Sequence, residues 1–499
     1  MRHTRATLCC LAAIGLSCSS APSLERFDTE GWLELEGPGF FVIGNAPESD
    51  LRTLAHELAV FDALVTRVTN VHRGASSVPL RIYVFEDETQ AELLLPSYVA
   101  GQMVPSLSGY YTLQSIRDGD YVFTREVLFH EYTHYVLRKG RRQPYPRWYD
   151  EGFALFLSSV RWREDTIIVG ASPRGRLEAA TNWGLMPLER LFEGRMTRRD
   201  AGRFYPTSWV FVHFMNGSKQ GRAGMHDFVN RLSVGEKWEP AFDSAFGAEV
   251  EELEPVLEKY VEKLVRGVRV DHHLSLDSLE REISWRVRVV SAAEISYQLG
   301  MVARIRGEQI ERSEDMQLAR ALFGRTLEHD PSHARARAAL AWSEGFEGRW
   351  EEAARQIERA SREAPEDAVV AMEAGRVKDM RARDVGSEGR FAREARAEFE
   401  RAVKLDAELP SAHAELARSY AGSGAVDRAV ATFERARALG AWDPRLDLDL
   451  AKSYLRAGSP DRARPLLQLV AAFHYDAELS EEASRLLEDL PQGRSTSKD

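Results

Sequence analysis

The spacing of apolar and polar positions changes several times along this chain, and each change marks an element. "FFVIG" (40–44) and "LRIYVF" (80–85) are β-branched and aromatic runs bounded by turn residues, which predicts strands. Between them "SDLRTLAHELAVFDALVTRVTNVH" opens on Ser49 or Asp50 as a cap and carries apolar residues at helical spacing. "GYYTLQS" (109–115) and "DYVFT" (120–124) predict two more strands around the "RDG" turn. Strand, helix, strand and a strand pair then lead into a helix, the order of an α+β domain with a mixed sheet. Beyond Glu151 the period is helical, in "YPTSWVFVHFM" (205–215), "MHDFVNRL" (225–232) and "VEELEPVLEKYVEKLVRGV" (250–268), which complete the same domain.

From about Ala292 a repeat takes over. Ala319, Ala353, Ala395, Ala429 and Ala463 recur at intervals of 34, 42, 34 and 34 residues. Four residues after each stands a larger apolar residue: Phe323, Ile357, Phe399, Phe433 and Leu467. Ala360, Ala402 and Ala436 follow three further on. Small residues at fixed places let neighbouring helices approach while the larger ones fill the gaps. Extra residues at Gly307–Asp315 and Arg381–Gly389 lengthen two of the units. This register resembles the tetratricopeptide repeat (TPR), in about five copies, which implies an all-α solenoid with a groove for a protein partner.

Length and charge narrow the class. A chain of 499 residues exceeds what one hydrophobic core supports, so two or more domains are expected. A net charge of −11 argues against general nucleic-acid binding, which needs a basic surface. The amino terminus has Arg2 and Arg5, an apolar run from Ala6 to Leu16, then small polar residues. That is the layout of an export signal, too short for a permanent membrane span. All three cysteines, Cys9, Cys10 and Cys18, lie in it, so the mature chain has no disulfide framework. "GLSC" resembles a bacterial lipobox with Cys18 as the lipidated residue. Gly15 stands where such boxes usually carry leucine, and cleavage near Ala21 is the alternative. The membrane is expected to meet this protein only through that anchor, in the bacterial envelope, or not at all if it is periplasmic.

The candidate chemistry lies in "FHEYTHYVLRKGRRQPYPRWYDEGFALFL" (129–157). His130 and His134 are four apart, so on a helix both imidazoles leave one face and can share an ion. Glu131 stands beside them, where a carboxylate can take a proton from metal-activated water. Pro144 and Pro146 end a loop, and the next helix carries Asp150 and Glu151 in its first turns. A reversal of that length returns Glu151 to the histidine face as a third ligand. Acidic residues also simply favour a helix N-terminus. Gly152 costs about 1 kcal/mol inside a helix, which suggests a close approach of two elements.

HEYTH followed by "PRWYDEGFALFL" resembles the gluzincin pattern of zinc metallopeptidases, and within it the bacterial peptidase-MA-like families. The resemblance spans roughly 38–268 and implies a zincin-like catalytic domain. It implies Zn2+ held by His130, His134 and Glu151, with Glu131 as general base. It also implies Asp150 as a residue orienting a ligand histidine, and Tyr205 as the oxyanion donor, with His213 as the competitor. No G-x-M-E-N stretch is present, so endopeptidase or general peptidase activity is expected rather than aminopeptidase, with an edge strand near "PSLSGYY" binding extended peptide. A structural zinc site would fill its fourth position with Cys or His, and none is close in sequence.

The expected organisation is a signal (1–22), a tether (23–37), the metallopeptidase domain (38–270), a linker (271–290), the repeats (291–490) and a disordered tail (491–499). Its expected activity is hydrolysis of a peptide or protein substrate. The competing expectation is an envelope scaffold lipoprotein whose repeats bind and whose first domain is inert.

Overall fold

The structure, a computed structural model, describes Leu24 and residues 27–490 apart from 70–79, 96–100, 108, 117–120, 141–144, 174, 195–199, 269–271, 280–283, 311–312, 385, 387–388, 440–441 and 473–475. The expected signal, Cys18 and the 491–499 tail lie outside the described residues.

The first half alternates strands and helices: β1 (Leu33–Gly37), β2 (Phe40–Gly44), α1 (Glu48–Thr69), β3 (Leu80–Phe85), α2 (Glu88–Ala91), β4 (Gly101–Ser106), β5 (Gly109–Ser115), α3 (Tyr121–Gly140) and α4 (Arg147–Ser158). Then come β6 (Arg161–Arg163), β7 (Thr166–Val169), α5 (Arg176–Trp183), α6 (Leu188–Phe192), α7 (Ala201–Asn216), α8 (Lys219–Ser233), α9 (Trp238–Phe246), α10 (Val250–Val265), β8 (His272–Ser275) and β9 (Arg286–Val289). The main sheet is mixed, in the order β4-β5-β3-β2-β1-β9. β2, β3 and β5 run parallel, while β1, β4 and β9 pair antiparallel to their neighbours. β6, β7 and β8 form a small second sheet.

β3 is buried on both faces, as its apolar residues require, with only Arg81 partly exposed. Ile82 and Val84 pack with α1 and α3, whereas Tyr83 and Phe85 pack with Trp32 and the first helices of the second half. The sheet is therefore a wall shared by both halves of the molecule.

Four expectations need correction. The segment expected as a tether is folded from residue 27: Phe27 and Trp32 are buried, and 33–37 is β1. The expected linker contains β8 and β9, and β9 adds to the main sheet through β1. Its "RVRV" looks like solvent-exposed chain because the strand buries little; ion pairs Arg286–Glu36 (2.9 Å) and Arg288–Glu34 (2.7 Å) accompany the ladder. Tyr121 to Thr124 begin α3 instead of forming a strand, with the Tyr121 hydroxyl donating to Glu57 (2.9 Å) and Arg125 ion-paired with the same residue. Tertiary contacts outweigh their strand propensity. The partner of β5 is β4, whose glycine, glutamine and proline hid it from pattern reading.

The second half is eleven helices among the described residues: α11 (Ala292–Ile310), α12 (Ser313–His329), α13 (Ala334–Phe346), α14 (Trp350–Glu363), α15 (Ala368–Asp384), α16 (Arg390–Leu405), α17 (Pro410–Gly422), α18 (Val426–Ala438), α19 (Pro444–Arg456), α20 (Pro460–Ala471) and α21 (Ala477–Glu488). The repeating alanines and the larger residues four positions on are all buried. The register read from the sequence is thus the packing register. Both expected insertions lengthen helices, α11 and α15.

Candidate metal centre

α3 is fixed before it presents any chemistry. Phe129 stacks on Phe61 of α1 with ring centroids 4.0 Å apart, and the Tyr132 hydroxyl donates to Asp62. One turn separates His130 and His134, so their rings leave the same face. α4 returns beside α3 after Pro146, anchored by Trp148, which is buried among Phe192, Phe211 and Phe228. Gly152 is where α4 meets α7: a Cβ there would lie 2.5 Å from the Ser208 carbonyl oxygen. The close approach inferred from this glycine is present, and its partner is α7.

The reversal brings Glu151 onto the histidine face. His130 Nε2 lies 3.1 Å from His134 Nε2 and 3.2 Å from Glu151 Oε2, and His134 Nε2 lies 3.7 Å from the same oxygen. These donor atoms all fall within 4.8 Å of one another. His134 Nδ1 lies 3.0 Å from Asp150 Oδ1. When Nδ1 carries the proton toward that carboxylate, the Nε2 lone pair faces the cluster, the tautomer a metal needs. His130 Nδ1 is buried with no hydrogen-bond partner among the described residues, so only one of the two imidazoles is oriented in this way. Burial opposes charge on His134, yet Asp150 and Glu151 outweigh it and raise its pKa to about 10. A buried imidazole drawn toward the cationic state by two carboxylates marks a place where positive charge is favoured.

Glu131 points to the sheet: its Oε2 accepts from the Met103 backbone N–H of β4 at 3.1 Å. Tyr205, in α7, is half-buried beside the cluster. Burial and the charge of Glu151 raise its pKa, against the charge and hydrogen bond of Arg147 and the charge of Arg176. Tyr205 therefore remains a hydrogen-bond donor at neutral pH. The Arg176 guanidinium sits over the Tyr205 ring at 5.2 Å, and that of Arg147 over Phe204 at 4.9 Å. Sequence reading missed both arginines; the only signal was their place at the first turns of α4 and α5.

His213 is elsewhere. Its Nδ1 lies 2.7 Å from the Tyr260 hydroxyl and its Nε2 2.6 Å from the Gly170 carbonyl oxygen, with the ring buried. Both ring nitrogens are engaged in joining α7 to α10 and the end of β7, which leaves Tyr205 as the group beside the cluster.

Sequence models of the tetratricopeptide repeat family match residues 380–444 and 421–487. No curated protein matches the chain. Among solved structures, a thermophilic TPR protein of Thermus thermophilus is 21% identical with a TM-score of 0.34, over 39% of this chain and 99% of its own. PilF of Pseudomonas aeruginosa is 20% identical with a TM-score of 0.29, over 39% of this chain and 90% of its own. The C-terminal part of the chain carries tetratricopeptide repeats, units that commonly bind protein partners.

Proposed function

We propose that the chain is an exported zinc-dependent peptidase whose repeats engage protein substrate or partner. The observation that carries this reading is the convergence of His130, His134 and Glu151, with Asp150 behind His134. Two imidazoles and one carboxylate suit zinc, and three protein ligands leave a position for water or substrate. When bound, the ion would supply Lewis-acid activation of water and of the scissile carbonyl. Glu131, held toward β4 by the Met103 amide, would take the proton of the attacking water and deliver it to the leaving nitrogen. Tyr205, kept protonated by burial and by Glu151, would donate to the carbonyl oxygen as negative charge grows there. The test is Glu131→Gln. It should retain metal and lose peptide hydrolysis by at least about 100-fold, the scale of a positioned general base; undiminished hydrolysis would remove Glu131 from the reaction.

The repeats by themselves support a second reading, an envelope scaffold lipoprotein with an inert first domain. Metal-loaded protein that cuts no member of a peptide library would favour it. Export and anchoring through Cys18 are part of the proposal for either reading. The mass of the mature N-terminus checks them: a lipid-bearing Cys18 supports the anchor, and a chain starting near Ala21 supports simple cleavage.

A further inference from the structure

β4 is an outer strand of the main sheet, and its contacts show which backbone groups face away from β5. The Met103 N–H donates to Glu131, and the Pro105 carbonyl accepts from the Gln309 side-chain amide at 2.6 Å. In an antiparallel pair every second residue directs both backbone groups outward, so Gly101, Met103 and Pro105 form the outward set. Pro105 has no N–H, and its one acceptor is already engaged. The outer edge of β4 is therefore closed at Pro105, two residues beyond the position abreast of Glu131.

The closure comes from the repeats. Gln309 is in the last turn of α11, and the carbonyls of Glu308 and Gln309 both accept from the Arg445 guanidinium of α19 at 2.7 Å. The Trp442 N–H donates to the Tyr110 hydroxyl of β5 at 3.2 Å. Leu107, in the turn between β4 and β5, is buried with side chains of α17, α19 and α20. The first and fifth repeat units thus grip the same end of the β4–β5 hairpin.

We propose that the repeat array sets how much chain a substrate can place on one side of the reacting bond. The inference rests on the peptidase reading above. A peptide adding to β4 finds the outward groups of Gly101 and the Met103 carbonyl, the Met103 N–H being held by Glu131, and meets α11 at Pro105. At about 3.4 Å per residue, the space from Met103 to the block holds roughly two residues. Antiparallel addition is the stronger pairing and places the N-terminal side of the incoming chain toward Pro105. The favoured substrates are peptides or unfolded segments presenting a free N-terminal end, cut within about two residues of it. This departs from the internal cleavage expected from the missing G-x-M-E-N stretch: here chain length is limited by a wall, without a dedicated amine-binding motif.

The experiment uses full-length, zinc-loaded protein and mass spectrometry of products. Linear decapeptides should lose one or two residues from the N-terminus, and head-to-tail cyclic forms of the same sequences should be cut at least about 100-fold more slowly. Adding residues one at a time ahead of a reporter bond should leave its cleavage rate level up to the second and lower it by more than about tenfold from the third. In Gln309→Ala/Arg445→Ala the permitted length should increase. Equal cleavage of cyclic and linear forms, or cuts near the C-terminus, would overturn the proposal while leaving a peptidase. No cut in any peptide by zinc-retaining protein would overturn the peptidase reading and the proposal with it.

Discussion

Replacing Gly152 by alanine would place a methyl carbon 2.5 Å from the Ser208 carbonyl oxygen, 2.8 Å from its carbonyl carbon and 2.9 Å from Val212 Cγ2. Two of these atoms are backbone of α7, so no side-chain rotation relieves the contact. Ordinary contact begins near 3.4 Å, and α4 and α7 must therefore separate by about 1 Å. Overpacking of this kind costs roughly 1–3 kcal/mol, offset by up to about 1 kcal/mol of helix propensity. The expected net loss is about 1–2 kcal/mol, lowering the first melting transition by a few degrees at roughly 2–4 °C per kcal/mol. Gly324 supplies the control. It lies inside α12 with nothing within 4 Å of an added Cβ, so Gly324→Ala should stabilise by about 0.4–1 kcal/mol. The same chemical change thus has opposite signs at two helical sites. Separation of α4 from α7 also moves Tyr205 relative to Glu151, and a 1 Å displacement can cost about 100-fold in turnover. Calorimetry and hydrolysis assays on both variants test this. If Gly152→Ala stabilises as much as Gly324→Ala, the close approach assigned to α4 and α7 is wrong.

Asp150→Asn should weaken metal binding by roughly 10–100-fold, measured by chelator competition, because it disturbs the proton on His134 Nδ1; unchanged affinity would remove Asp150 from that role. In metal-free protein the pKa of His134 is raised from 6.5 to about 10, so its stabilising contribution is complete below pH 6.5 and disappears as pH rises toward 10. Chelator-stripped wild type should accordingly lose more melting temperature over that range than stripped Asp150→Asn, and parallel curves would contradict the coupling. Tyr205→Phe should retain metal and lose about 100- to 1,000-fold in turnover. His213→Phe should instead cost about 1–3 kcal/mol of stability by leaving the Gly170 carbonyl and the Tyr260 hydroxyl without their partner, with cleavage specificity unchanged.

The sequence disclosed most where a local pattern and a tertiary role coincide. β2 and β3 have the bounds their apolar runs predict, because both are buried inside the sheet. The alanine register of the repeats is legible because every unit solves the same packing problem. Helical spacing placed His130 and His134 on one face, and the loop length suggested the return of Glu151. β9 escaped because an outer strand that buries little has no apolar pattern, β4 because glycine, glutamine and proline break its pattern, and β1 because two glutamates alternate with its leucines. Arg147 and Arg176 escaped because their relevance comes from what lies across from them. The docking of Gln309 on Pro105, separated by some two hundred residues, leaves no local trace at all.

Zinc content tests the central claim most directly. Full-length protein purified without chelator and dialysed against trace-metal-free buffer should carry about one zinc per chain by elemental analysis, as a single three-ligand centre requires. His130→Ala, His134→Ala and Glu151→Ala should each carry almost none while remaining folded by circular dichroism. Stoichiometric zinc in Glu151→Ala, or none in the wild type after incubation with excess zinc, would contradict the account.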